Sequence, residues 1–230
     1  VAPAAHLTCV DASRGDVYDV AKEFRDAGVR HFVALRGDPA SGIGSQYQPH
    51  PDGYANAAEL TAGLTAMGEC EISVSAYPEK HPESPDFMTD LDMLKRKVDN
   101  GATRAITQFF FDHELFLRFR DRCDAAGVTM PLIPGILPIE YFAKMRGFAK
   151  RCGASVPDWM EGAFDHAADA GAQELLSLSI ASESCDSLTQ DGAERLHIYT
   201  LNNPDLTHQL CQALGVEAQP MRLAAVGGCG

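Results

Sequence analysis

An α/β barrel built from repeating strand–helix units is the fold this sequence predicts, and three observations predict it. Gly28, Gly68, Gly101 and Gly127 each stand a few residues before an apolar or β-branched run, and Gly192 does so later. The spacing of the first four, roughly 26 to 40 residues, is that of one βα unit. Those runs are apolar nearly throughout, the composition of parallel strands covered on both faces. Polar residues gather where the runs end: Thr8, Arg36-Gly37-Asp38, Tyr77 and His81, Gln108, then Thr200 and Asn202. A barrel places its chemistry at those strand ends. An open doubly wound sheet fits the first two observations equally, but neither G-x-G-x-x-G after the first strand nor G-x-x-x-x-G-K-[ST] occurs. The runs number six, two short of closure, so the expectation is one domain over residues 1–230, a (β/α) barrel without its first two units.

The chain opens on a strand, Ala5 to Val10, after which a polar loop leads into a helix ending Phe24-Arg-Asp-Ala-Gly28. His31 to Leu35 form the second strand. The loop from Pro39 to Asn56, rich in Gly, Ser and Pro, is long enough to suggest function. A helix over Ala57–Met67 stops at Gly68, and the strand Ile72–Ala76 runs into Tyr77-Pro-Glu-Lys-His81-Pro-Glu83. The next helix, Asp90–Asp99, carries Lys95-Arg96-Lys97 and ends near Gly101, which suits the left-handed position after a helix. The strand Ala105–Phe110 then delivers Gln108. A helix over Leu115–Ala126 and a strand over Pro131–Ile136 follow. Residues Glu140–Cys152, Asp158–Ala170 and Gln173–Leu188 read as three successive helices. A strand over Leu196–Thr200 and a helix beginning near Pro204, a favoured first-turn residue, close the order.

The formal charge of −13 argues against a nucleic-acid or anionic-membrane surface and makes any local basic cluster more telling. Seven cysteines without C-x-x-C spacing point to neither a disulfide framework nor zinc, and a reducing cytoplasm is the simplest setting. No apolar run approaches the roughly 20 residues of a membrane span.

Arg36-Gly37-Asp38 reads either as a ligand site or as an ordinary turn. Tyr77 and His81, on a loop stiffened by two prolines, suit stacking on a planar ligand and donation to a phosphate or ribose; solvated loop chemistry explains them as well. Lys95-Arg96-Lys97 can hold a diphosphate through charge-assisted hydrogen bonds or form a solvated helix face. His6, on an apolar strand, is by default a satisfied core residue. Gln108 is harder to dismiss, because a buried amide must find partners. With no G-x-S-x-G elbow, no paired carboxylates and no Cys–His pair, a cofactor is expected to do the chemistry. The residues thus point to a barrel that binds a planar, phosphate-bearing ligand.

Seven motifs in order carry a more specific resemblance: Ala5-His-Leu-Thr-Cys9, Val33-Ala-Leu-Arg-Gly-Asp38, Ala76-Tyr-Pro-Glu-Lys-His-Pro-Glu83, Leu94-Lys-Arg-Lys-Val-Asp-Asn-Gly-Ala102, Ala105-Ile-Thr-Gln-Phe-Phe-Phe-Asp112, Ile133-Pro-Gly-Ile-Leu-Pro138 and Ile198-Tyr-Thr-Leu-Asn202. Together they resemble the bacterial methylenetetrahydrofolate reductase family over essentially the whole chain. The resemblance implies a TIM-type (β/α)8 barrel with FAD at the strand C-termini. It also implies a cytoplasmic, homo-oligomeric enzyme of one-carbon metabolism and methionine supply. The implied reaction is ping-pong: NADH or NADPH reduces the flavin, which then reduces 5,10-methylenetetrahydrofolate to 5-methyltetrahydrofolate.

Carried over by motif, His6, Arg36, Gly37, Asp38, Ala55, Tyr77, His81, Ser84, Asp90, Arg96 and Lys97 are the implied FAD contacts, with Asp38 tuning the flavin. Gln108 is the implied pterin-binding amide and Phe148 the aromatic against folate and nicotinamide. Lys144 stands where the family commonly has Gln, and Asn203 where it commonly has Arg, both on the substrate side. The family's Phe-Glu-Phe-Phe-Pro-Pro type strand, which carries its general acid, is not among residues 1–230. No metal is implied. A non-catalytic flavin-binding homologue and an unrelated phosphate-binding barrel lyase are the alternatives.

Overall fold

The computed structural model describes residues 2–39 and 47–216. Val1, Cys229 and the middle of the Pro39–Asn56 loop lie outside the described residues. Six parallel strands follow one another around a single sheet in chain order: β1 (Ala4–Thr8), β2 (His31–Leu35), β3 (Glu71–Ala76), β4 (Arg104–Phe109), β5 (Leu132–Ile136) and β6 (His197–Ile198). Helices α1 (Arg14–Asp26), α2 (Ala57–Ala66), α3 (Phe87–Asp99) and α4 (His113–Ala125) fill the first four crossovers. Three helices, α5 (Phe142–Cys152), α6 (Asp158–His166) and α7 (Ala170–Gln190), separate β5 from β6, and α8 (Pro204–Ala213) follows.

The sheet curls. Its six parallel strands, each paired with the next in chain order, form a half-barrel with the helices packed on its convex side.

The expectation of strands apolar throughout fails on β1, β3 and β4, where burial alternates. Ala5, Leu7, Ile72, Val74, Ala76 and Ala105 pack under the helices with Phe32, Leu60, Leu64, Leu91 and Leu94. The intervening residues, His6 and Ser75 among them, face the concave side, so His6 is an exposed residue and not the core histidine its strand suggested. Near the start of the strands that side carries charge: Glu71 pairs with Arg104 and lies 3.5 Å from His31.

Element boundaries moved where a cap overrode periodicity. Asp86 accepts from Thr89 N at 2.8 Å and starts α3 three residues before the expected Asp90. Asp169 accepts from Ala172 N at 2.9 Å, so α7 begins at Ala170 rather than Gln173, while the extended backbone of Ala167 ends α6 early. The strand expected over Leu196–Thr200 keeps only His197 and Ile198 on the ladder.

Candidate active site

A cleft of about 260 Å³ opens at the C-terminal rim, between the ends of β2 and β3, the start of α2, the loop after β3 and the face of α3. Arg36, Tyr77, His81, Ser84, Asp90 and Lys97 all line it. The end of β2, joined across the fold by the loop after β3 and the helix that follows it, thus helps bring six of the expected cofactor residues to one place.

Lys97 lies one turn beyond Leu94 on the buried stripe of α3 and is 6% exposed. Its ammonium donates to Ser75 O at 2.8 Å and Ser75 Oγ at 3.3 Å, both neutral oxygens. Burial pushes its pKa down to about 8, against the pull of Asp90. An anion in the cleft would replace the lost hydration.

The loop after β3 is held from inside. One oxygen of Asp90 accepts from His81 N at 2.6 Å and the other from the Ser84 hydroxyl. His81 Nδ1 accepts from Glu83 N at 3.1 Å, which fixes the tautomer and leaves Nε2–H as a donor. Burial first, and then Arg36, lower the His81 pKa, so the ring is neutral near pH 7. Its edge meets the Tyr77 ring with centroids 4.7 Å apart. Burial pushes the Tyr77 hydroxyl up to about 12. Gly153, left-handed at φ 73° after α5, backs the same loop; a Cβ there would lie 2.9 Å from Lys80 O.

Arg36 leaves β2 into this cleft, where Nη1 and Nη2 donate to the two oxygens of Glu83 at 2.6 and 2.7 Å. Its guanidinium also lies 4.7 Å from the Tyr47 ring centroid. Gly37 has φ 84°, and a Cβ would fall 2.5 Å from Val10 Cγ1, so both backbone angle and space demand glycine. Asp38, next along, is exposed.

Beside the cleft, β4 carries a bulge. Ile106 pairs with Ile133 but Phe109 with Gly135, so β4 spends one residue more than β5 there. The extra length contains Gln108. Thr107 Oγ1 accepts from Gly135 N at 2.9 Å, and Tyr199 Oη donates to Thr107 O at 2.8 Å, which satisfies the disturbed ladder. Gln108 Oε1 accepts from Phe109 N at 3.0 Å, leaving its amide nitrogen to donate. A bulge re-aims a side chain, and this one turns Gln108 toward Tyr77, Lys80 and Cys152. Phe109 stacks on Phe148 with centroids 5.4 Å apart. Phe148, Lys144, Thr200 and Asn203 line an adjoining groove of about 150 Å³.

The profile described as Methylenetetrahydrofolate reductase matches residues 1–215. The chain belongs to that family. It is 44% identical over 220 residues to a 5,10-methylenetetrahydrofolate reductase of Pectobacterium carotovorum subsp. carotovorum, covering 95% of this chain and 72% of the relative. The Escherichia coli (strain K12) 5,10-methylenetetrahydrofolate reductase is 44% identical over 214 residues, 93% of this chain and 70% of the relative. Among solved structures, a Clostridium thermocellum protein described as binding two copies of 5-methyl-5,6,7,8-tetrahydrofolic acid superposes with a TM-score of 0.58. At 16% identity, over 92% of this chain and 71% of that one, it supports the fold alone.

Within this reductase-family chain the basic triplet divides. Lys97 alone of the three lines the cleft, while Lys95 and Arg96 are exposed, because successive helical residues point about 100° apart. Ala55 lies just before the cleft at the start of α2, its N–H donated to Glu59 Oε2 at 3.1 Å. Asn203 caps α8, accepting from Leu206 N at 3.4 Å, and Lys144 rests its ammonium 4.6 Å from the Tyr141 ring. Glu83, Ser75, Thr107 and Tyr199 were passed over in the sequence. Ser75 had a signal, the last of the polar residues Glu71, Ser73 and Ser75 that alternate along β3 in phase with Tyr77. Glu83 lay inside a quoted motif, but nothing local marked Arg36 as its partner. Among the described residues no helix is long and apolar enough to cross a membrane, and no cluster of three or more metal-ligating side chains is present.

Proposed function

We propose that this chain reduces 5,10-methylenetetrahydrofolate to 5-methyltetrahydrofolate, with FAD at the cleft and NADH or NADPH as the electron source. The observation that carries the proposal is the meeting of Arg36, Tyr77, His81 and Lys97 at one cleft, beside Gln108 and Phe148, in a chain of this family. The residues fit a flavin nucleotide. Lys97 is a buried cation bonded only to neutral oxygens, which suits a phosphate, and the His81 Nε2–H suits a ribose or phosphate oxygen. FAD held there would supply two-electron hydride chemistry, from the nicotinamide to the folate's methylene carbon, as that carbon's bond to N10 breaks and N10 takes up a proton.

The chain's own residues have the remaining tasks. The Gln108 amide nitrogen offers a donor to the pterin, and Phe148, stacked on Phe109, gives an apolar face for the flat substrate ring. Asp38 puts a carboxylate at the rim, where it favours a cationic iminium form of the substrate and disfavours negative charge on the reduced cofactor. Lys144 and Asn203 line the outer groove.

Purified protein provides the test. A yellow flavin spectrum bleached by NADH or NADPH, and restored by methylenetetrahydrofolate, is the expected result. Flavin that binds but stays oxidised would make the chain a flavin-binding homologue without reductase activity. A colourless protein that takes up no FAD would overturn the proposal.

A further inference from the structure

Arg36 is fully engaged by partners within the protein. Nη1 and Nη2 hold the two oxygens of Glu83 at 2.6 and 2.7 Å, and Nε donates to Gly37 O at 3.3 Å. All three nitrogens therefore have partners, and the forked face that would hold a phosphate in bidentate fashion is covered by a carboxylate of matching geometry. The charges lining the cleft balance: Arg36 and Lys97 against Glu83 and Asp90. A diphosphate added to that set would leave the cleft anionic.

The two carboxylates differ in what they can give up. Both oxygens of Asp90 are tied to the loop itself, through His81 N and Ser84 Oγ. Both oxygens of Glu83 are tied to Arg36, and its side chain is 30% exposed at the cleft mouth. The backbone around Glu83 is braced by its N–H bond to His81 Nδ1, by Pro82 and by the close approach of Gly153. Rotation of the side chain into water is thus an easier release than movement of the loop.

We infer that Glu83 is a resident anion that covers Arg36 and is exchanged for a phosphate of the incoming nucleotide. The inference rests on the flavin-nucleotide reading of the cleft. Glu83 is a positioning residue, acting on the ligand only through Arg36. It keeps the guanidinium paired whenever no nucleotide is bound and lowers the net affinity for the nucleotide in return.

The test uses FAD-free full chain, with FAD binding followed by flavin fluorescence and inorganic pyrophosphate binding by calorimetry. Glu83→Gln removes the charge and keeps the shape; it should tighten both ligands about tenfold, or 1.4 kcal/mol. Glu83→Ala should shift them in the same direction. In an Arg36→Ala background, Glu83→Gln should give no gain, which separates exchange at Arg36 from general relief of negative charge. Wild-type protein that binds FAD, with a Glu83→Gln variant that binds it equally or more weakly, overturns the inference and leaves the proposed function standing. Wild-type protein that takes up no FAD overturns the proposed function. Pyrophosphate then decides the inference, which falls if Glu83→Gln shows no gain or if neither variant binds it.

Discussion

Lys97 is the residue at which burial and charge conflict most directly. Its folded pKa near 8 lies below the ordinary 10.5. Between those values the unfolded chain binds more protons than the folded one, so stability should rise with pH across that window. It is fully gained above about 10.5 and lost as pH falls through about 8. Thermal midpoints of FAD-free protein should follow that rise, and Lys97→Met should lack it. The same variant should lose most FAD affinity, while wild-type affinity should weaken above pH 8 as the ammonium deprotonates. Asp38 makes a separate prediction. Asp38→Asn should raise the flavin potential by tens of millivolts and slow folate reduction more than NADH oxidation. An unchanged potential in a redox titration would remove Asp38 from that role.

Two elements aim these side chains: the bulged strand β4 and the braced loop after β3. At the bulge, Thr107 is fully buried and its hydroxyl is the acceptor for Gly135 N. Thr107→Val should therefore leave a buried N–H unsatisfied and cost about 1–3 kcal/mol in urea unfolding. Tyr199→Phe removes one bond, the donor to Thr107 O, and should cost about 1 kcal/mol. Because the bulge aims Gln108, both variants should lose folate turnover while keeping FAD affinity. Equal losses of the two would mean that Gln108 is not aimed by this bulge. The helices were legible in the sequence because a left-handed glycine follows several of them, as Gly68 and Gly101 do, whereas the unread caps Asp86 and Asp169 shifted the starts of α3 and α7. The bulge was not, since Ala105-Ile-Thr-Gln-Phe109 reads as an uninterrupted strand until β5 is laid beside it.

For the whole molecule, the charge of −13 opposes an anionic nucleotide at long range, while Arg36 and Lys97 attract it only once it is close. Association of FAD with FAD-free protein should therefore quicken as ionic strength rises from about 10 to about 150 mM, where the screening length falls from about 30 to about 8 Å. Stopped-flow flavin fluorescence would read it, and a slower rate with salt would mean that the cleft's own cations dominate the approach.

The order of units and the strand-end position of the chemistry followed from the sequence alone, because glycine stops and apolar runs are local. Arg36, Tyr77, His81 and Lys97 carried enough chemistry in type and motif to be named in advance. Tertiary structure decided which of them share a wall. It separated Lys97 from Lys95 and Arg96 by helical phase, turned His6 out of the core, seated Glu83 on Arg36 across 47 residues and bent β4 beneath Gln108. Each of those outcomes depends on two segments meeting in space, and a linear sequence specifies the segments without displaying the contact.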